Sequence, residues 1–171
     1  MKKIILTYGL ISGAIAAALM LGMGLYLGDS PENFENGEIF GYTGIILSML
    51  FVFLGVRAYR DQVAGGQLSF GRGFQVGILI TLISCICYVL AWQVVYRTLT
   101  PNFMEHYMTY TLAQMEKGGA TATQIAEKSA EMKKFGEMYK NPLVNMAFTF
   151  IEPFPIGLLV TLLSAGILRK K

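Results

Sequence analysis

Four long apolar runs alternate with polar segments along this chain of 171 residues. A helix rises 1.5 Å per residue, so about 20 apolar residues cross the roughly 30 Å hydrocarbon core of a bilayer. The runs are close to or above that length. The pattern therefore predicts an all-α, polytopic membrane protein with one membrane domain, residues 1–171. The four predicted transmembrane helices are residues 4–27, 39–56, 74–96 and 143–168.

The first run also has features of a cleaved signal peptide. Lys2 and Lys3 precede it, and Ala14-Ile-Ala16 resembles a cleavage site. The apolar run, however, continues for eleven residues beyond Ala16, to Leu27. We therefore predict a retained spanning helix.

The segment between the third and fourth runs, residues 101–140, repeats its apolar residues at helical spacing. Gly118 and Gly119 interrupt the pattern, and Thr121 with Gln124 has the spacing of a helix-capping box. We predict an extracytoplasmic helical hairpin here. It either packs on the outer end of the bundle or lies on the membrane surface.

The acidic connection Asp29–Glu38 lacks basic residues. Ser30-Pro31 and Asn36-Gly37 are turn signals, so we predict a solvated, outward-facing turn.

The segment Arg57–Phe74 is polar and lies between the second and third runs. It contains three arginines, one aspartate and four glycines. Short segments rich in Lys and Arg stay cytoplasmic, which predicts that this segment and both termini face the cytoplasm. Eight basic residues fall on that side, against six in the longer segment opposite. The eight are Lys2, Lys3, Arg57, Arg60, Arg72, Arg169, Lys170 and Lys171.

Composition changes this picture little. The chain is 54% hydrophobic and 15% charged, whereas soluble domains carry about 25% charged residues. Its net charge of +3 comes from basic residues beside the apolar runs. We therefore expect the lipid bilayer as a partner and no nucleic acid.

Glu152 is the most informative polar residue, because it lies about ten residues into the fourth run, roughly 15 Å along a helix. A charge near the bilayer centre costs about 2.5–3.5 kcal/mol on insertion scales, so Glu152 should face a polar partner, water or the bundle interior. Pro153 and Pro155 lack backbone N–H groups, which predicts a kink with freed carbonyl groups.

Three interpretations of Glu152 follow. A carboxylate at a kink could carry protons or bind a cation. It could instead be a neutral group hydrogen-bonded to the freed carbonyls or to a neighbouring Ser or Thr. In the third interpretation the spanning helix starts near Pro153, and Glu152 lies at the interface.

Arg57, Arg60 and Arg72 are candidate contacts for anionic lipid headgroups or lipid-linked phosphate. The alternative is that they only anchor the topology beside a flexible turn.

The sequence carries no recognisable motif for catalysis, metal or cofactor binding, such as a Ser/His/Asp arrangement, H-E-x-x-H or a Walker motif. His106 is the sole histidine, so we expect no zinc site. We therefore predict a non-enzymatic protein without a cofactor.

Small residues recur at four-residue spacing in the first run, as in Gly9-xxx-Gly13. This spacing lets helix backbones approach closely. It indicates either packing within the bundle or the face of a homodimer.

Several motifs are shared with a known family. They are Gly55-Val-Arg57-x-Tyr59-Arg60-Asp61, then Gly65-Gly66-x-Leu-Ser-Phe70, then Gly73-Phe74, with Pro101-x-Phe103 and Glu152-x-Phe154-x-Ile-Gly157 further along. Through them the chain resembles the DUF4199 family over nearly its whole length. That family comprises small four-helix inner-membrane proteins of Bacteroidota with no assigned function. The resemblance implies the fold and topology, and it implies no catalytic residues.

These observations predict a multi-pass protein of the bacterial inner membrane. The leading hypothesis is an accessory or scaffold subunit that acts through helix packing and its outer helices, as a homodimer or in a larger membrane complex. The second is a small oligomeric ion-coupled transporter that uses Glu152. The third is a membrane enzyme on lipid-linked substrates.

Overall fold

The computed structural model describes residues 1–27 and 34–170 of the chain, and this part is helical throughout its length apart from short connections. Seven α-helices and one π-helical turn, Val95–Leu99, occur within these residues. The α-helices are α1 (Lys2–Leu27), α2 (Phe34–Gln62), α3 (Phe70–Val94), α4 (Phe103–Lys117), α5 (Ala122–Tyr139), α6 (Pro142–Ile151) and α7 (Phe154–Ile167).

Four helical segments are long and apolar enough to cross a membrane. The second and third contain their predicted runs, the first and fourth each end one residue before theirs, and α6 with α7 forms the fourth. The segments are Lys2–Tyr26, Ile39–Gln62, Phe70–Leu99 and Pro142–Ile167. The prediction of an all-α fold with four potential spans is therefore confirmed.

The spanning helices alternate in direction around α3. Gly9 lies against Ile83 and Gly13 against Cys87, so α1 and α3 run in the same direction. Gly55 of α2 lies against Tyr8 of α1 and Gly44 against Leu19, so α2 runs in the opposite direction. α7 packs antiparallel on α3, with Thr161 beside Gly77 and Ala165 beside Gly73. Both termini and the α2–α3 connection therefore lie at one end of the bundle.

Small hydroxyl side chains fill the centre of this bundle. The Ser12 hydroxyl lies 2.7 Å from the Ser48 carbonyl oxygen and 2.9 Å from the Ser84 hydroxyl, so it links α1, α2 and α3. The hydroxyls of Thr81 and Thr161 are 3.1 Å apart and link α3 to α7. Hydrogen bonds between spanning helices are worth about 0.6 kcal/mol on average, so they add to tight packing without replacing it.

Much of the polar segment Arg57–Phe74 is helical, whereas the sequence predicts a turn. α2 continues to Gln62, so Arg57 and Arg60 lie in its last two turns, and α3 already starts at Phe70. Only residues 63–69 connect the helices. Gly65 and Gly66 have φ of +63° and +84°, a backbone conformation that favours glycine.

The C-terminal tail lies beside this connection. The backbone N–H of Leu68 donates to the Lys170 carbonyl at 2.8 Å, and the N–H of Lys170 donates to the Leu68 carbonyl at 3.0 Å. The basic tail and the glycine turn are therefore held together at one end of the bundle.

One turn prediction is wrong. α2 begins at Phe34, so Asn36 and Gly37 lie in its first turn and not in a reverse turn. The apolar residues that follow continue the helix, and tertiary context overrides a two-residue turn preference. Residues 29–33 of the predicted acidic turn lie outside the described residues.

Two helices, α4 and α5, lie between the third and fourth segments and pack against each other. Their extracytoplasmic location stays a prediction. The capping box at the start of α5 is present: Gln124 N–H donates to the Thr121 hydroxyl, and the Thr121 N–H donates to the Gln124 side chain. Gly119, with φ of +80°, makes the break between the helices.

Gly9 and Gly13 of α1 pack within the chain, against α3. We predict that Gly13→Ala destabilises the bundle by about 1–3 kcal/mol, because the added methyl would lie 2.6 Å from Cys87 Cβ. Gly22→Ala is the matched control, since nothing lies within 4 Å of a Cβ there. Thermal unfolding in detergent, followed by circular dichroism, checks this. Equal midpoints for the two variants would contradict close packing at Gly13.

Candidate functional site: an aromatic cavity with one carboxyl group

The site is built around the break between α6 and α7. α6 ends at Ile151 and α7 starts at Phe154, which places Glu152 in the break. Pro153 and Pro155 have no N–H, so the carbonyl groups four residues before them lose their usual helical donors. The last span is thus interrupted at residues 152–153, where the two prolines predict a kink, and Glu152 lies at this break.

Glu152 has a tyrosine as its partner. The Tyr88 hydroxyl of α3 donates to Glu152 Oε2 at 3.1 Å. Tyr88 itself is buried, whereas the Glu152 side chain remains exposed. The carboxyl group therefore has one fixed hydrogen bond and keeps acceptor positions for a further contact.

Two other polar contacts fix α6 and α5 on α3. Gln93 Nε2 donates to the buried Asn145 Oδ1 at 2.6 Å, and Trp92 Nε1 donates to the Tyr139 hydroxyl at 3.0 Å. Burial raises the pKa of Tyr139, so its hydroxyl stays neutral and can accept this bond. These contacts hold α5 and α6 against the C-terminal half of α3.

A cavity of about 350 Å³ lies between these helices, at the end of the bundle where α4 and α5 pack. Its walls come from α1, α2, α3, α4, α5 and the end of α6. Aromatic side chains dominate the lining, beside aliphatic residues and methionines. The aromatic residues are Phe40, Tyr42, Tyr88, Trp92, Phe103, Tyr107, Tyr110 and Tyr139. A volume of this size suits a small organic molecule.

α4 covers the outer end of the cavity. Phe103, Tyr107 and Tyr110 follow one face of α4 at helical spacing, and all three line the cavity. The ring of Phe103 meets that of Trp92 edge to face, with centroids 4.9 Å apart. The aromatic contact thus joins the amphipathic helix to the spanning helix α3.

The rim of the cavity is formed by lining residues that are exposed on the surface of the chain. They are Phe40, which is 61% exposed, Tyr42, which is 51% exposed, and Glu152. The cavity is therefore open to the surface at these residues.

The charge of the cavity is one-sided. Among the described residues that line it, Glu152 is the single acidic residue, and none is lysine, arginine or histidine. A carboxylate in such surroundings has hydrogen bonds from neutral groups only. A cationic group beside the carboxylate would therefore balance its negative charge.

One known protein family matches nearly the whole chain. The family described as Protein of unknown function (DUF4199) matches residues 7–170. The chain belongs to the DUF4199 family. No curated protein and no solved structure matches it. The family description assigns no activity, so any function of this DUF4199 member has to be inferred from its own residues.

The three arginines predicted to contact lipid or phosphate, Arg57, Arg60 and Arg72, are not among the residues that line the cavity. Arg60 Nε is 2.7 Å from Asp61 Oδ1, and Arg57 Nε is 3.7 Å from Asp61 Oδ2. Arg72 donates to the Gln75 side chain at 3.1 Å. Each arginine thus has a partner within the chain, and contact with lipid or phosphate stays a prediction.

Sequence reasoning identified Glu152, Pro153 and Pro155 but missed the residues that surround Glu152. Tyr88 and Trp92 are four residues apart on α3, and Asn145, Thr149 and Glu152 follow one face of the last span. Polar residues at helical spacing inside an apolar run mark its inward face. This helical spacing is the sequence feature from which the residues of the site could have been predicted.

Proposed function

We propose that this chain is a non-enzymatic, polytopic protein of a bacterial inner membrane that binds a small organic molecule in the aromatic cavity. The observation that carries the proposal is the cavity itself, which reaches the carboxyl group of Glu152 at the proline break. A scaffold that acts only through its outer surfaces has no need for such a cavity. The geometry therefore supports a binding protein or small carrier ahead of an accessory subunit.

Carrier activity is the extension of this proposal. The cavity is open to the surface at its rim, and the break at Glu152 is a natural point of bending. Four spans are few for a complete transport path, so a carrier would work as a homodimer or in a larger complex.

The enzyme hypothesis has less support. Glu152 is the single carboxyl group among the described lining residues, and its partner is a tyrosine, which provides no acid/base pair of the usual kind. Arg57 and Arg60 share Asp61, which leaves their positive charge partly compensated for a lipid-linked phosphate.

We also propose that both termini face the cytoplasm and that α4 and α5 are extracytoplasmic. The pairing of Leu68 with Lys170 places the basic tail beside the α2–α3 connection, where Arg57, Arg60 and Arg72 are also found. Basic residues are thereby concentrated at one end of the bundle, and such ends stay cytoplasmic.

Single cysteines in a background with Cys85→Ala and Cys87→Ala test this orientation. Gln67→Cys lies in the α2–α3 connection and Glu116→Cys near the end of α4, and both positions are exposed. In intact cells or spheroplasts, a membrane-impermeant maleimide should label Glu116→Cys only. Membrane disruption should expose Gln67→Cys as well. The reverse labelling would contradict the proposed orientation.

Binding in the cavity is tested by a substitution that fills the cavity with a bulky side chain. Gly41 lines the cavity with nothing within 4 Å of a Cβ, so Gly41→Phe can place its ring there without a backbone clash. Gly22→Phe is the matched control outside the lining. Trp92, the only tryptophan, reports binding through its fluorescence.

Three probes share a benzyl group and differ in charge: benzyltrimethylammonium, neopentylbenzene and phenylmethanesulfonate. At least one should change Trp92 emission saturably in the wild type and in Gly22→Phe but not in Gly41→Phe. No response to any probe, or an unchanged response in Gly41→Phe, would contradict the proposed binding function.

A further inference from the structure

Resting on the proposed binding function, we infer that the cavity takes a monovalent organic cation, namely a substituted ammonium with an apolar body. In this arrangement the ammonium group lies against Glu152, and its apolar substituents contact the aromatic rings. The charge and the aromatic lining of the cavity each support this ligand class.

The charge of the lining selects the sign of the ligand. Glu152 contributes one negative charge when ionised, and the described lining residues contribute no basic side chain. A monovalent cation neutralises the site, whereas an anion would be repelled. A neutral ligand would leave the carboxylate desolvated without an opposite charge, which is unfavourable in apolar surroundings.

The aromatic lining suits an ammonium group in particular. Trp92 and the tyrosines present rings whose faces attract a cation, and tryptophan is the strongest such partner. The indole N–H of Trp92 is already held by Tyr139, and the Tyr88 hydroxyl by Glu152. These hydrogen bonds fix the rings of Trp92 and Tyr88 before any ligand binds.

The lining also argues for an organic cation over a metal ion. Metal ions such as Ca²⁺ need six to eight oxygen ligands. No group of three His, Cys, Asp or Glu side chains that could hold a metal occurs in the described part of the chain. Much of the remaining wall is aliphatic or thioether, from Leu19, Met20, Met23 and Ile45. Such a surface accommodates methyl, methylene or phenyl groups.

The same ammonium chemistry could come from a free amine or from a lipid headgroup. A zwitterionic headgroup carries a phosphate next to its ammonium group. The described lining offers no lysine or arginine for that phosphate. A free organic cation therefore fits better than a phospholipid headgroup.

Equilibrium dialysis of the detergent-purified chain tests the ligand class without any variant. Benzyltrimethylammonium and neopentylbenzene have nearly the same shape, with a quaternary nitrogen in one and a carbon in the other. We expect the cation to bind at least about tenfold more tightly than this neutral isostere or the anionic phenylmethanesulfonate.

Substitution of Glu152 then tests whether its carboxylate is the group that attracts the cation. Glu152→Gln should weaken binding of benzyltrimethylammonium by about tenfold or more and leave the neutral isostere within about twofold. Glu116→Gln is the matched control on exposed α4 surface and should change neither affinity. Gel filtration establishes that each variant is folded. If Glu152→Gln does not fold, the wild-type preference among the three probes still decides the proposal.

The failures of the two proposals are distinguishable. Tighter binding of the neutral or anionic probe, still abolished by Gly41→Phe, overturns the cation assignment and leaves the binding function intact. An unchanged cation affinity in folded Glu152→Gln has the same meaning. No binding of any probe overturns both proposals.

Competition against benzyltrimethylammonium separates the two sources of an ammonium group. Choline should displace the probe at a lower concentration than phosphocholine does. Stronger displacement by phosphocholine would overturn the free-cation assignment in favour of a lipid headgroup.

Discussion

The hydrogen bond from Tyr88 to Glu152 joins the last spanning segment to α3 at the break between α6 and α7. A carboxyl group inside a spanning segment is unfavourable unless polar partners surround it. Here the helix breaks at the carboxyl group, two prolines remove backbone donors, and a buried tyrosine supplies one. α6 and α7 are therefore joined at a break whose polar group is fixed to α3.

The packing of the last span on α3 changes at this break. α7 packs tightly on α3 through Thr161 and Ala165, while α6 is attached to α3 by polar contacts such as Gln93–Asn145. The cavity lies beyond that change in packing, between α6 and the outer ends of α1 and α2. α4 then covers it with an aromatic face. The bundle is thus tightly packed where α7 meets α3, and the cavity lies at the other end, beside α4 and α5.

Much of the fold could be predicted from the sequence, because length and apolarity determine spans and Thr121 with Gln124 determines a helix start. Glu152 was also found, since a charge at that depth stands out in an apolar run. Its partner was not, because Tyr88 lies 64 residues away and no local pattern joins the two. The predicted turn at Asn36-Gly37 failed for the opposite reason: a local preference yielded to the helix around it.

An experimental structure of the chain in lipid nanodiscs with saturating benzyltrimethylammonium tests the binding site most directly. The probe should lie in the aromatic cavity, with its ammonium group beside the Glu152 carboxylate and within about 6 Å of the Trp92 ring centroid. A collapsed cavity, or a Glu152 side chain turned away from Tyr88 with the probe bound elsewhere, would contradict this prediction.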